Sequence, residues 1–236
     1  MIFRRLFLLS IVVFGAGRMP AQTGFRFGPT GMFLSSRSSV ITTLPDRFYF
    51  RYKSGFGGGL AVQYGFTPGF TLGSGISYTY KGYRVFNDSN SQGTLLRHNM
   101  SNLELPVNMI FRIRMNTSSN LRGILGATLN YNMSKNGHEE TNSNGSFIIR
   151  EEIVNQVYPM ANLGVEIANE NKSGNVFCFG IHYRQAFTQN THLKVYDSKT
   201  DTDPLFLLGY RGSYIGVSFT YLFNPKNFKR DEEIFY

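Results

Sequence analysis

The sequence predicts an all-β chain closed into an eight-stranded antiparallel up-and-down transmembrane β-barrel, and three observations predict it. Apolar and polar residues alternate with period two over eight stretches, the pattern of strands whose successive side chains point to opposite faces of a sheet. The connections between these stretches alternate between short turns and long loops. The basic residues within the stretches fall on the polar parity.

The eight strands are expected over residues 24 to 35, 55 to 66, 70 to 83, 102 to 114, 120 to 133, 155 to 168, 175 to 187 and 213 to 223. In the third, Phe70, Leu72, Ile76, Tyr78 and Tyr80 oppose Thr71, Gly73, Gly75, Ser77, Thr79 and Lys81. The fourth places Leu103, Leu105, Val107, Met109, Phe111 and Ile113 against Asn102, Glu104, Pro106, Asn108, Arg112 and Arg114, with only Ile110 breaking the polar side. The fifth sets Leu121, Leu125, Ala127, Leu129 and Tyr131 against Arg122, Gly126, Thr128, Asn130 and Asn132. The sixth and eighth repeat the pattern, Leu163, Val165 and Ile167 opposing Asn162, Gly164 and Glu166, and Ile215, Val217 and Phe219 opposing Gly216, Ser218 and Thr220.

Between strands two and three lie only Thr67, Pro68 and Gly69, and MNTSSN and NENKSG make the other two short turns, each rich in turn formers. The remaining connections, 36 to 54, 84 to 101, 134 to 154 and 188 to 212, are long. Short turns on one rim and long loops on the other match bacterial outer-membrane barrels, with both chain ends on the periplasmic rim.

Energetics orient the two faces. A basic residue at the lipid midplane costs roughly 2 to 4 kcal/mol, and several such costs approach the whole stability of a domain, about 5 to 15 kcal/mol. Arg26, Lys81, Arg112, Arg122 and Arg184 therefore face the interior, and the apolar parity faces lipid. A secreted soluble barrel of the lipocalin type reverses this parity. Against it stands a polar parity crowded with Gly, Ser, Thr and Asn, which suits a narrow bore packed with side chains better than a solvated surface.

The opening MIFRRLFLLSIVVFGAGRMPAQ sets Arg4 and Arg5 before an apolar run and then small residues, the form of a secretory signal, expected over 1 to 21. The run is too short for a helix across a bilayer, which takes roughly 20 apolar residues. Cleavage after Ala21 is favoured over cleavage after Gly17; it removes three arginines and no acid, lowering the net charge from +9 to +6. An exported basic chain is expected to meet anionic lipid head groups and not nucleic acid. The barrel is assigned to 22 to 223 and a periplasmic tail to 224 to 236. That tail, NPKNFKRDEEIFY, follows the aromatic end YLF of the last strand.

Lone Cys178 forms no internal disulfide, and no spaced Cys or His set makes a metal motif. His98, His138 and His192 with the loop aspartates share no pattern that fixes a catalytic geometry, so no catalytic residue and no cofactor are assigned. The interior set is Lys81, Glu104, Arg112, Arg122, Glu166, His182 and Arg184. These residues are read as a charge network filling the bore, because eight strands leave an interior just wide enough for side chains. A narrow small-solute channel is the alternative. In DRFYFRYK, Arg47, Arg51 and Lys53 alternate with aromatics and are candidates for lipid phosphate contact, on a strand extending above the membrane. PLFLLGY, 204 to 210, either extends strand eight or forms a partner surface.

Three segments carry a family likeness: the glycine-rich second strand turning through Thr67, Pro68 and Gly69 into ISYTYKGY; NLELPV at 102 to 107; and GILGATLNY at 123 to 131. In these the sequence resembles the PorT-like outer-membrane β-barrel family of Bacteroidota, in layout over most of the mature chain and specifically across about 56 to 132. The resemblance implies an integral barrel of the bacterial outer membrane, commonly of unassigned function; the role expected of this chain is non-enzymatic, structural or partner-binding in the envelope. Its partners would be outer-membrane lipid and an envelope protein met through the extracellular loops. Some relatives serve type IX secretion and gliding, and nothing in the sequence singles out that branch.

Overall fold

The structure, a computed structural model, describes residues 24–36, 39–40, 48–87, 94–134, 139–141, 147–199 and 203–225. Thirteen strands follow one another among these residues: β1 (Gly24–Ser36), β2 (Ser39–Val40), β3 (Phe48–Thr67), β4 (Phe70–Asn87), β5 (Thr94–Arg114), β6 (Ser119–Asn132), β7 (Glu139–Thr141), β8 (Phe147–Ile153), β9 (Val157–Glu170), β10 (Val176–Ala186), β11 (Thr191–Asp197), β12 (Phe206–Tyr210) and β13 (Tyr214–Leu222). Eight of them close a barrel in the order β1-β13-β10-β9-β6-β5-β4-β3, and β3 pairs back onto β1. Every pairing is antiparallel, so no strand edge of the barrel is left unpaired in lipid.

The eight expected strands are all present, and three are longer than alternation predicts. β3 starts at Phe48, β4 runs to Asn87 and β5 starts at Thr94, so the outer loops begin as a three-stranded extension above the rim. The DRFYFRYK stretch joins β3 from Phe48, as read. The long loops also hold five short strands that the sequence did not announce, paired in the order β2-β12-β11-β8-β7. PLFLLGY supplies β12 of that sheet and does not extend the last barrel strand.

Burial runs opposite to that of a soluble protein. Along β9, Val165 is 56% exposed while its neighbour Glu166 is 6% exposed; along β5, Glu104 is fully buried while Leu105 and Val107 are exposed. The apolar parity faces outward on every barrel strand with clear alternation, which removes the soluble, inward-apolar alternative. Ile110, the exception on the polar side of β5, is buried and pairs with the buried Ile124.

Aromatic rings mark the limits of the apolar band. At the periplasmic end, Tyr221, Phe223, Phe27 and Phe25 follow one another at 4.9 to 6.1 Å between centroids, and Tyr64, Phe66, Phe70 and Phe111 do so at 4.8 to 5.9 Å. At the other end Phe56 and Tyr80 lie 5.5 Å apart. From Phe70 to Tyr80 along β4 is ten residues, about 26 Å of axial height for a strand rising about 3.4 Å per residue at about 40° tilt. That matches the roughly 25 Å apolar band of an outer-membrane barrel.

Glycine makes this small circumference feasible. A Cβ on Gly59 would lie 2.1 Å from the Ile76 carbonyl oxygen, and one on Gly126 2.2 Å from the Val107 carbonyl oxygen. At these points the strands coil too tightly for a side chain.

Candidate functional site

The polar parity delivers its charges to the bore in two tiers. The outer tier centres on Glu104, to whose Oε1 the Thr79 hydroxyl donates at 2.9 Å and Lys81 Nζ at 3.1 Å. Its Oε2 accepts from the Tyr214 hydroxyl at 2.7 Å and from Arg184 Nη1. Rings back the cations: Lys81 Nζ is 4.8 Å from the Tyr214 centroid and 6.0 Å from that of Tyr158, whose hydroxyl donates to Asn102 Oδ1 at 3.1 Å. One carboxylate here serves two cations, so the tier carries a formal charge of about +1, and its four bonds, two of them from cations, are of the strong, charge-assisted kind.

The inner tier joins Arg122, Glu166 and His182. Arg122 Nε lies 3.5 Å from Glu166 Oε2, its Nη2 donates to Gln63 Oε1 at 2.8 Å, and its Nη1 approaches Cys178 Sγ at 2.7 Å. His182 Nε2 sits 3.2 Å from Glu166 Oε1 and 2.7 Å from the Ser218 hydroxyl. Arg112 stands beside Arg122 in register and donates to the Thr71 hydroxyl. Ile110 and Ile124 form an apolar step next above this arginine pair. Nearer the periplasm Arg26 Nη2 reaches Glu170 Oε1 at 2.8 Å.

Between the tiers is a cavity of about 90 Å³ whose wall includes Gly57, Gly73, Ser77, Asn162, His182 and Arg184. That is room for several water molecules. Asn162 bridges the wall, donating to Asn108 Oδ1 at 2.9 Å while its Oδ1 accepts from Thr128 at 2.9 Å.

Over the outer mouth lies the five-stranded sheet. Leu193, Val195, Phe206 and Tyr210 are buried on one side of it, and Thr191 Oγ1 lies 4.0 Å from Met100 Sδ of β5. Burial pushes the Tyr210 phenol up to about 12, which keeps it neutral above the charged tier. On the other face Lys194 Nζ pairs with Glu152 Oε2 at 2.9 Å, and this cation holds the Glu152 carboxyl below its ordinary value. Arg150 stacks on Tyr196 at 4.9 Å.

All seven predicted interior residues thus lie in the bore, but as two clusters plus Arg112 rather than one network. Tyr158, Tyr214, Thr79, Gln63 and Ser218 belong to the clusters and were not singled out in the sequence. The parity opposite Val157 and Ile215 would have marked the two tyrosines. Among the three candidates for lipid phosphate, Arg47 lies outside the described residues and Arg51 is placed in β3 by its backbone. Lys53 departs from expectation: it is buried, with Nζ 5.8 Å from the Tyr80 centroid. Lys53 keeps unbroken register with the buried Ser36 of β1 and the inward parity of Gly57, so period two carries it to the inner side of β3. Among the described residues no cluster of His, Cys, Asp or Glu is built to hold a metal ion.

Among solved structures the fold is similar to the outer membrane protein OprG of Pseudomonas aeruginosa, with a TM-score of 0.57 and 12% identity over 88% of this chain and 100% of that one. A more distant likeness, to the attachment invasion locus protein Ail of Yersinia pestis, has a TM-score of 0.36 and 12% identity over 85% of this chain and 99% of that one. No curated protein matches the sequence. The sequence itself matches the outer membrane protein beta-barrel domain over residues 18–192, about three quarters of its length, and with a closed eight-stranded barrel that is apolar outside and charged within, the chain belongs to that family of outer-membrane proteins.

Proposed function

We propose that the chain is a non-enzymatic, non-conducting outer-membrane barrel that serves the envelope structurally or by binding a partner through its extracellular sheet, in connection with secretion. The observation that carries this reading is the outer tier: Glu104, Lys81 and Tyr214 are each 1% exposed or less and are tied together across the bore beneath the sheet. A conducting pore needs a continuous polar path, and here the polar groups bind one another. The PorT-like features at 76 to 83, 102 to 107 and 123 to 131 support a place among PorT-like barrels, some of whose relatives serve secretion. Residues 1 to 21 serve as the export signal in this reading.

Planar-bilayer recording tests it. The wild-type barrel is expected to stay silent, while a variant carrying Lys81→Ala, Glu104→Ala and Arg184→Ala opens steps of current. Wild-type steps as large as those of the triple variant would establish the narrow-channel reading instead.

A further inference from the structure

The two sides of the cavity between the tiers are unlike. On β3 and β4 its inward positions include Gly57, Gly73 and Gly75, which send no side chain into the bore, with Ser77 next in line. Across the barrel from them, β10 and its neighbour β13 supply His182, Arg184 and Ser218. His182 and Arg184 are two residues apart on one face of β10, so their Cα atoms stand about 7 Å apart along the wall. Arg184 commits Nη1 to Glu104, and its buried Nε has no hydrogen-bond partner. Glu166 Oε1, 3.2 Å from His182 Nε2, places the ring proton on that nitrogen. The Ser218 hydroxyl, 2.7 Å from the same nitrogen, therefore accepts there and keeps its own proton for the cavity.

Charge decides what such a chamber holds. Inside the bore and beneath the sheet, the described residues set the cations Arg26, Lys53, Lys81, Arg112, Arg122 and Arg184 against the carboxylates Glu104, Glu151, Glu166 and Glu170. Six against four leaves an excess of about +2 with His182 neutral. In a low-dielectric interior an uncompensated charge is costly, and water, being neutral, does not cancel it. Glu166 also lines the cavity, but its oxygens face Arg122 at 3.5 Å and His182 at 3.2 Å, which take up its charge. A volume of about 90 Å³ admits a small ion with a few waters and is too small for a sugar or a nucleotide. From charge, donors and volume we infer that the cavity binds one small monovalent inorganic anion of the halide class, held between Arg184 and the Ser218 hydroxyl. The ion offsets part of the excess charge of both tiers at once. This goes beyond the closed-bore reading and stands apart from it: a conducting bore holds the same ion, so bilayer recordings and anion occupancy fail separately.

The test refolds the mature protein from urea into detergent micelles in sodium bromide, so that the ion is present as the barrel closes, and locates bromide in crystals by its anomalous scattering. A peak is expected in the cavity, within reach of Arg184 and Ser218. Arg184→Gln removes the peak, and Arg184→Lys keeps it. In solution, each tenfold rise in bromide beyond half-saturation should raise the wild-type midpoint of the heat-induced gel shift by about 3 to 5 °C more than the same rise in gluconate, which is too large for the cavity. The gel shift between unboiled and boiled samples reports that each variant is folded. If the glutamine variant does not fold, Ser77→Val, which narrows the cavity and leaves every charge in place, takes its position with the same expected loss of the peak. A wild-type bore without bromide overturns the inference. So does a peak that is undiminished in the folded glutamine or valine variant, which marks an adventitious ion only.

Discussion

Replacing Glu104 by Gln is the sharpest test of how the bore is held together. The substitution keeps the shape and removes the charge, leaving Lys81 and Arg184 in a fully buried tier with no carboxylate between them. Removing one partner of a buried ion pair costs about 3 to 5 kcal/mol because the other charge is stranded. For a chain of this size each kcal/mol corresponds to about 2 to 4 °C in the midpoint of thermal unfolding, so the expected fall is roughly 6 to 20 °C. The assay is the temperature at which the compact, fast-migrating form in detergent gels gives way to the unfolded form. A second substitution decides the cause. Adding Lys81→Met to Glu104→Gln returns the tier to its original formal charge of about +1, so the double variant should unfold at a higher temperature than Glu104→Gln alone, a non-additivity expected only of groups that interact. A Glu104→Gln midpoint within about 2 °C of wild type, which corresponds to less than about 1 kcal/mol, would refute the reasoning, as would a double variant that loses the sum of the two single changes.

Val165 faces lipid near the middle of β9, so Val165→Arg should cost about 2 to 4 kcal/mol in urea unfolding from vesicles, whereas Val157→Arg, at the outer end of the same face, should cost about 0 to 1; equal costs would contradict the assigned depth. Gly59→Ala should destabilise the barrel by about 1 to 3 kcal/mol, because its methyl would meet the Ile76 carbonyl oxygen at 2.1 Å, while Gly58→Ala, whose nearest neighbour is the Thr30 carbonyl oxygen at 3.7 Å, should be tolerated. In the outer sheet the Glu152 carboxyl should titrate, by carbon NMR in micelles, below its ordinary 4.5, so that any stabilisation it gives is complete above that pH and is lost as the pH falls through its lowered value. Both partners are exposed, so 1 M salt, with a screening length of about 3 Å, should move the titration back towards 4.5.

The barrel was legible because lipid on one side and a filled bore on the other impose strict alternation on every spanning strand, from Leu103 to Ile113 in β5 and from Ile215 to Phe219 in β13. That constraint stops at the membrane surface. The loop strands are two to seven residues long, and PLFLLGY is a continuous apolar run, which period alone cannot assign. In the bore, parity named the residues but not their partners. Glu104 meets Arg184 across 80 residues of sequence and Tyr214 across 110, contacts set by the stagger of the strands around the barrel. Tyr158 and Tyr214 lie on the parity opposite Val157 and Ile215 and face inward, and Lys53, read with its aromatic neighbours, instead follows the inward parity of Gly57.

The two sheets differ in how their edges are treated, and this bears on how a partner could engage. Within the membrane an unpaired strand edge would leave backbone groups without hydrogen bonds at a cost of several kcal/mol each, and closure of β3 onto β1 removes it. The outer sheet stands in water, which satisfies its edge groups, so it can remain open at β2 and β7. Among the described residues those edge strands are two and three residues long, however, too short to template an added strand. Its longer members, β8, β11 and β12, are paired on both sides. A protein docking here is therefore expected to read side chains on the exposed face, with Arg150, Glu152, Lys194 and Tyr196 within its reach, rather than add a strand of its own.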